Sequence, residues 1–300
     1  MLDLTRLRVL VTVAREGSVT AAAEALHYAQ PSVSHHLARL EAELGVPLVQ
    51  RVGRGIRLTE AGRLLVDRAE EILGQVESTR TELAAHAGLR TGRVRLAAFP
   101  SALATLVPPA AARLAVAHPD IELALTEAEP PEALAALRNA DIDVALIFEH
   151  DEPSTGDHRN TTVTTLLEEP LYVVTPADRD WQGSRSELAT YAAERWIAGC
   201  ERCRAHLLSA CGRAGFTPIV EFETDDYVAV QALVAAGLGV STLPGLALAA
   251  NRHSGVRIDR LAQDGRRVMA ATYGKPPAPL PVQAFLDALA ETGPPPLTAR

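Results

Sequence analysis

Between residues 18 and 59 the apolar positions step twice at helical spacing and then break into two short strand-like runs. Ala21, Ala22, Ala25 and Leu26 place small apolar groups on one face of a short helix, so a second helix can approach closely. Val33, Leu37 and Leu40 supply the stripe of that second helix, which opens at Gln30-Pro31-Ser32 with Pro31 in a first turn that needs no backbone donor. Two such helices pack as a helix-turn-helix. Gly45 stops the second helix, and residues 46–59 predict a hairpin around Gly53-Arg54-Gly55. From Thr59 to Gly88 there is no proline, and Gly62, Leu65, Ala69, Ile72, Val76, Thr79 and Leu83 step alternately by three and four. That period of about 3.5 residues is the seam of two supercoiled helices, with Thr59 as the N-cap. A long amphipathic helix lying on its own domain fits the same spacing.

Past Gly92 strand and helix signals alternate, with strands at 94–99, 121–126, 144–148, 171–174 and 240–243 and helices at 131–140 and 203–213. Such alternation predicts an α/β fold with parallel sheets. Residues 228–250 run 23 positions without a charge, but Gln231, the Gly237-Leu238-Gly239 break and Pro244 divide them into helix, buried strand and turn, which argues against a membrane span.

Three hundred residues with 47% hydrophobic content hold more than one core, so a small reader joined to a larger module is expected. Nucleic-acid binders are normally sought among basic chains, and this one carries a net charge of −8, but that charge is unevenly spread. Residues 1–59 carry seven Arg against five acids, residues 60–90 four against six, and residues 91–300 hold 18 basic and 26 acidic groups. The three cysteines lie between 200 and 211 and make no secreted disulfide framework, and the first residues lack a basic leader, so a cytoplasmic protein is expected.

Candidate chemistry falls in three places. Ser32, Ser34, His35, His36 and Arg39 lie off the apolar stripe of the second helix, and Arg51, Arg54 and Arg57 stud the hairpin, so both can meet base edges and phosphates of double-stranded DNA. Ser101 follows strand residues and starts a helix, where it is either an ordinary N-cap or one wall of an anion site. Cys200, Cys203 and His206 stand three apart, which fits a packing role, a thiol switch or a soft-metal site, whereas Cys211 reads as core. No glycine-rich phosphate loop, zinc-protease motif or nucleophile elbow occurs, so no catalytic residue and no cofactor is expected.

The first 62 residues resemble the amino-terminal domain of LysR-type transcriptional regulators through Leu4, Leu7, Ala14, Ser18, Ala21 to Ala23, Leu26, Gln30, Pro31, Ser34, Leu40, Glu41, Leu44, Gly45, Leu48, Arg51, Leu58, Thr59 and Gly62. The strings Asp141-Ile142-Asp143-Val144-Ala145, Glu169-Pro170-Leu171-Tyr172, Ala214-Gly215-Phe216-Thr217-Pro218 and Ala236-Gly237-Leu238-Gly239 look like landmarks of that family's effector domain. The resemblance implies an all-α winged helix-turn-helix at 1–59, a dimer-forming linker helix at 60–90, and at 91–292 an α/β effector module of two periplasmic-binding-protein-like subdomains. Subdomain I would span about 91–165 and 267–292, and subdomain II about 166–266. It further implies a homodimer or homotetramer, RNA polymerase as a partner if the protein activates, and a small polar or anionic effector met by Ser101, Ala102, Phe148, Cys200 and Thr224. His35 and His36 stand where the family usually has Arg and Gln, which leaves the base preference open.

Overall fold

The computed structural model describes residues 3–52, 55–86, 92–150, 160–293 and 297. Helix α1 (Leu4–Glu16) starts at Asp3, whose carboxylate accepts the Thr5 and Arg6 N–H groups, and stops at Gly17. Ser18 caps α2 (Val19–Ala25), which buries Ala22 and Ala23, while Ala21 and Leu26 are half-buried and the expected Ala25 is exposed, so the inward face is turned by about one residue from the one expected. Helix α3 (Gln30–Leu44) buries Val33, Leu37 and Leu40, but its N-cap is Ala29, with no side-chain cap from Ser32. Strands β1 (Val49–Val52) and β2 (Gly55–Leu58) form the expected antiparallel hairpin. Glu41 ties this wing to α3 by accepting the Leu48 and Val49 N–H groups at 2.7 and 3.1 Å.

Thr59 caps α4 (Glu60–His86), its hydroxyl accepting the Gly62 N–H at 2.9 Å. Any Cβ on Gly62 would collide with the Leu48 carbonyl, so the glycine permits this crossing. At about 1.5 Å per residue the helix is roughly 40 Å long. Its seam divides. Leu65, Ala69 and Ile72 pack on the helix-turn-helix core with Leu7, Leu10 and Leu40, whereas Val76 and Leu83 are exposed. Leu65 and Ile72, half-buried, thus pack within the chain against the helix-turn-helix core, the alternative that the same spacing allowed.

The remaining elements build one eight-stranded sheet in two halves. In the first, β3 (Gly92–Ala98) lies between and parallel to β4 (Ile121–Glu127) and β5 (Val144–His150), flanked by α5 (Pro100–Thr105), α6 (Val107–Ala117) and α7 (Pro130–Arg138). The chain then crosses on β6 (Thr161–Pro176). In the second half β7 (Arg195–Ala198) is parallel to β8 (Ile219–Glu223) and β9 (Val240–Pro244), packed by α8 (Glu201–Arg213), α9 (Tyr227–Ala235) and α10 (Gly245–Ala250). It returns on β10 (Val256–Tyr273) to α11 (Leu280–Ala290). The expected parallel pairing holds within each half, but β10 runs antiparallel to both β5 and β6, and β6 antiparallel to β9. The two long strands thus staple the halves edge to edge, with a register shift between Arg260 and Gly265 where they pass from one half to the other.

Candidate functional site

On α3, Gln30, Pro31, Ser32, His35 and Arg39 are exposed and Ser34 and His36 half-buried, forming one polar face opposite Val33, Leu37 and Leu40. His36 stacks obliquely on Tyr28, with ring centroids 6.1 Å apart, which steadies the ring at the surface. Arg57 points outward from β2; Arg51 lies on β1 with its side chain outside the description, and Arg54 lies outside the described residues. This is the chemistry of a major-groove helix with a flanking wing.

The second candidate lies where parallel strands end. β3 runs into Phe99 and Ser101, β4 into Glu129, β5 into Phe148 and His150, β7 into Cys200, and β8 into Thr224 and Tyr227. In open α/β sheets ligands bind outside these carboxyl ends. At the centre stands Arg266 from β10, buried to 2% exposure. Its Nε donates to Glu169 Oε1 at 2.6 Å, its Nη2 to Ser101 Oγ at 2.8 Å, and its plane lies 4.2 Å from the Phe148 ring centroid and 4.9 Å from that of Phe99. Burial is the largest influence and would lower its pKa, but the charge and hydrogen bond of Glu169 together with Tyr227 and Cys203 raise it. Among the described residues Arg266 Nη1 has no hydrogen-bond partner.

Ser101 is therefore neither an N-cap nor half of a free helix terminus. Phe99 occupies the cap position of the six-residue α5, and the Ser101 hydroxyl is held by Arg266. Ala102 is buried in the core of the first half, and Thr224 is half-buried at the end of β8, its N–H on the Ala198 carbonyl. Phe148 meets both halves, since Arg202 of α8 donates to its carbonyl at 3.2 Å.

Cys200 is the N-cap of α8, and its sulfur lies 3.1 Å from that of Cys203. Hydrogen bonding from Cys203 lowers the Cys200 pKa, while the same bond and burial raise that of Cys203 well above the usual thiol value. Because Cys200 precedes the helix instead of lying inside it, the pair approaches more closely than two fully helical cysteines would. Glu129 adjoins Cys200, with burial raising its pKa and its Oε2 unpartnered among the described residues. His206 turns away from the cysteines: its Nε2 lies 2.7 Å from Asp264, and its ring stacks on His150 with centroids 3.8 Å apart. The three-residue spacing thus does not converge on one metal, and no group of three or more metal-ligating side chains forms among the described residues. Cys211 is core, burial pushing its thiol up to about 12.

Sequence reading missed Arg266, Glu169, Glu129, Tyr227 and the His150–His206–Asp264 cluster. Strand alternation held the signal for Arg266, because it shares a face with Val268 and Ala270, both in the first core.

Two family profiles cover this architecture: "Bacterial regulatory helix-turn-helix protein, lysR family" matches residues 4–63, and "LysR substrate binding domain" matches 87–294. The chain belongs to the LysR family. It is a DNA-binding transcriptional regulator with a ligand-responsive effector domain, and that family consists of regulators, not enzymes. Among curated relatives, the uncharacterized regulator YfeR of Shigella flexneri is 30% identical over 257 residues, covering 82% of this chain and 79% of its own. The dual regulator OxyR of Escherichia coli is 27% identical over 286 residues, covering 93% and 91%. A full-length OxyR variant from Pseudomonas aeruginosa superposes with a TM-score of 0.69 at 25% identity, covering 99% of this chain and 100% of that one. Among the described residues no helix of this LysR-family chain is long and apolar enough to cross a membrane.

Proposed function

We infer that this regulator reads double-stranded DNA as a homodimer or homotetramer in the cytoplasm, while a small anionic effector in the cleft shifts the assembly between two arrangements. The effector acts only through its differential affinity for those arrangements. Gln30, Pro31, Ser32, Ser34, His35, His36 and Arg39 meet the groove, and Arg51, Arg54 and Arg57 meet the backbone; RNA polymerase is a further partner if the protein activates. Replacing His36 by Ala should relax sequence preference by about 1–3 kcal/mol, whereas replacing Arg57 should weaken all duplexes and flatten the salt dependence. Titrations on selected and scrambled duplexes across a salt series decide it, and equal losses on both for His36→Ala would remove the base contact.

The observation that carries the effector reading is the unpartnered Arg266 Nη1, fully buried beside Ser101 and Phe148. A buried donor without an acceptor is costly, and a carboxylate oxygen from the ligand removes that cost. Ser101, Phe148 and Cys200 surround it; Ala102 and Thr224 back the same strand ends. Melting-temperature titration with acetate, pyruvate and succinate, each beside its neutral amide, provides the test. A carboxylate should raise the melting temperature, its amide should not, and Ser101→Ala should abolish the rise; no rise, or a rise that survives Ser101→Ala, rejects the anion.

The sulfur separation of 3.1 Å favours a second reading, thiol sensing by Cys200 and Cys203, as does the likeness to a protein named hydrogen peroxide-inducible genes activator, 27% identical over 286 residues. Diamide should then change the DNA footprint of the wild type and leave the Cys200→Ser, Cys203→Ser double variant untouched.

A further inference from the structure

A cavity of about 450 Å³ opens in the first half of the effector module, between the start of β6, the end of β10 and α11, and none of the cleft residues named above lines it. That volume is in the range of small-molecule sites. Three features of its wall define a ligand. The apolar surface is flat and rigid: Pro276, Pro277 and Pro279 face it together with Leu166 and Leu286. Its cation is Lys275, the only lysine in the sequence, which is exposed and makes no ion pair with another described residue. Asp287, already accepting from Gln283 at 2.8 Å, stands on the same wall and disfavours a second negative charge in the ligand.

The fourth feature is connectivity. Tyr273 lines the cavity, and its hydroxyl donates to the Glu71 carbonyl of the linker helix α4 at 2.7 Å. Its ring also presses on α4, where any Cβ on Gly74 would stand 3.0 Å from Tyr273 Cζ and 2.8 Å from the Arg138 carbonyl. One side chain is therefore shared between a cavity wall and the helix that carries the DNA-reading domain.

We propose that this cavity is a second effector site, distinct from the cleft, which takes a monocarboxylate with a flat apolar ring and acts on the linker helix through Tyr273. The ring packs between the prolines and Leu286, and the carboxylate pairs with Lys275. Occupancy changes the freedom of the Tyr273 ring, and with it the balance between the docked and undocked arrangements of α4.

Because Lys275 is the sole lysine, reductive methylation with carbon-13 puts one lysine signal on the full-length protein, apart from that of the amino terminus. 1-Naphthoate is the probe, 1-naphthamide its uncharged control and naphthalene-1,8-dicarboxylate its dianion. The Lys275 signal should shift saturably with naphthoate, with the amide and the dianion each about tenfold weaker. Thr164 is exposed and lines the cavity, so Thr164→Trp should fold normally and abolish the shift; Ser101→Ala, in the cleft, should leave it unchanged. Naphthoate should also alter hydrogen exchange around Glu71–Gly74 in the wild type but not in Tyr273→Phe saturated with naphthoate, its occupancy read from the same Lys275 shift. No saturable shift, a shift that survives Thr164→Trp or vanishes in Ser101→Ala, or an exchange response unchanged in Tyr273→Phe overturns the proposal.

Discussion

The DNA-reading unit and the effector cleft solve opposite problems with the same backbone rules. In the first, the core is apolar from Leu7 to Ala69 apart from Thr12, and the polar residues proposed to meet DNA stand on the outer side of α3. In the second, the polar residues are the core: Ser101, Glu169, His206 and Arg266 are all buried between the two halves of the sheet. Function and stability are separable where the partner is a macromolecule met at a surface. They are joined where the ligand must be enclosed, because a buried guanidinium stands only as long as Glu169 compensates it.

The largest effect should come from breaking that compensation. Arg266→Met leaves the Glu169 carboxylate buried against α10 without its cation, although the Leu246 N–H still donates to it at 2.7 Å. Breaking one side of such a pair costs about 3–5 kcal/mol, whereas Arg266→Met with Glu169→Gln should recover most of the loss. Urea unfolding of the two variants beside the wild type measures this. A single variant within about 1 kcal/mol of wild type would show that water reaches the pair and that the two regions differ less than their burial suggests.

Acid should act next, and again on the cleft. Burial first, and then repulsion from His206, Arg266 and Arg202, lowers the His150 pKa from 6.5 to about 3, against a weak opposing contact with the Gly265 carbonyl. A group depressed on folding contributes stability that is full above its unfolded value and lost as the pH falls toward the folded one. The loss should reach about 3 kcal/mol between pH 6.5 and pH 4, at about 1.4 kcal/mol per unit. His150→Gln should flatten that segment of the stability curve measured by urea titration at each pH; an unchanged slope would assign the acid sensitivity elsewhere.

The smallest effect sharpens the comparison inside α4. Ile72 packs on the helix-turn-helix core, so Ile72→Glu should destabilise that unit by roughly 2 kcal/mol at any protein concentration. Leu83 is 65% exposed, so Leu83→Glu should leave the fold within about 0.5 kcal/mol and shift only the sedimentation of the oligomer. The reverse pattern would move the intermolecular seam back to the start of the helix.

Much of the DNA-reading half was legible because each of its devices is local. Gly45 and Thr59 act within a few residues of themselves, and the α3 stripe follows from helical period alone. Period did not say what the linker seam faces. Leu65 and Leu83 obey the same rhythm, but only α1 lying across the first half of α4 makes one core and the other surface.

The cleft was legible in its frame and not in its contents. Alternating strands and helices determined the α/β class, and the sequence placed Ser101 just past a strand, whereas Phe148 and Cys200 entered only through the family resemblance. Which groups would meet there depended on Arg266 arriving beside Ser101, which stands 165 positions earlier, on a strand running antiparallel to its neighbours. It depended equally on α8 turning His206 toward Asp264 and away from the cysteines. Capping, period and turn chemistry are short-range properties and are written in the chain itself. The pairing of a buried charge with its counter-ion is a long-range electrostatic fact, decided only when the crossing strands bring distant residues together out of water.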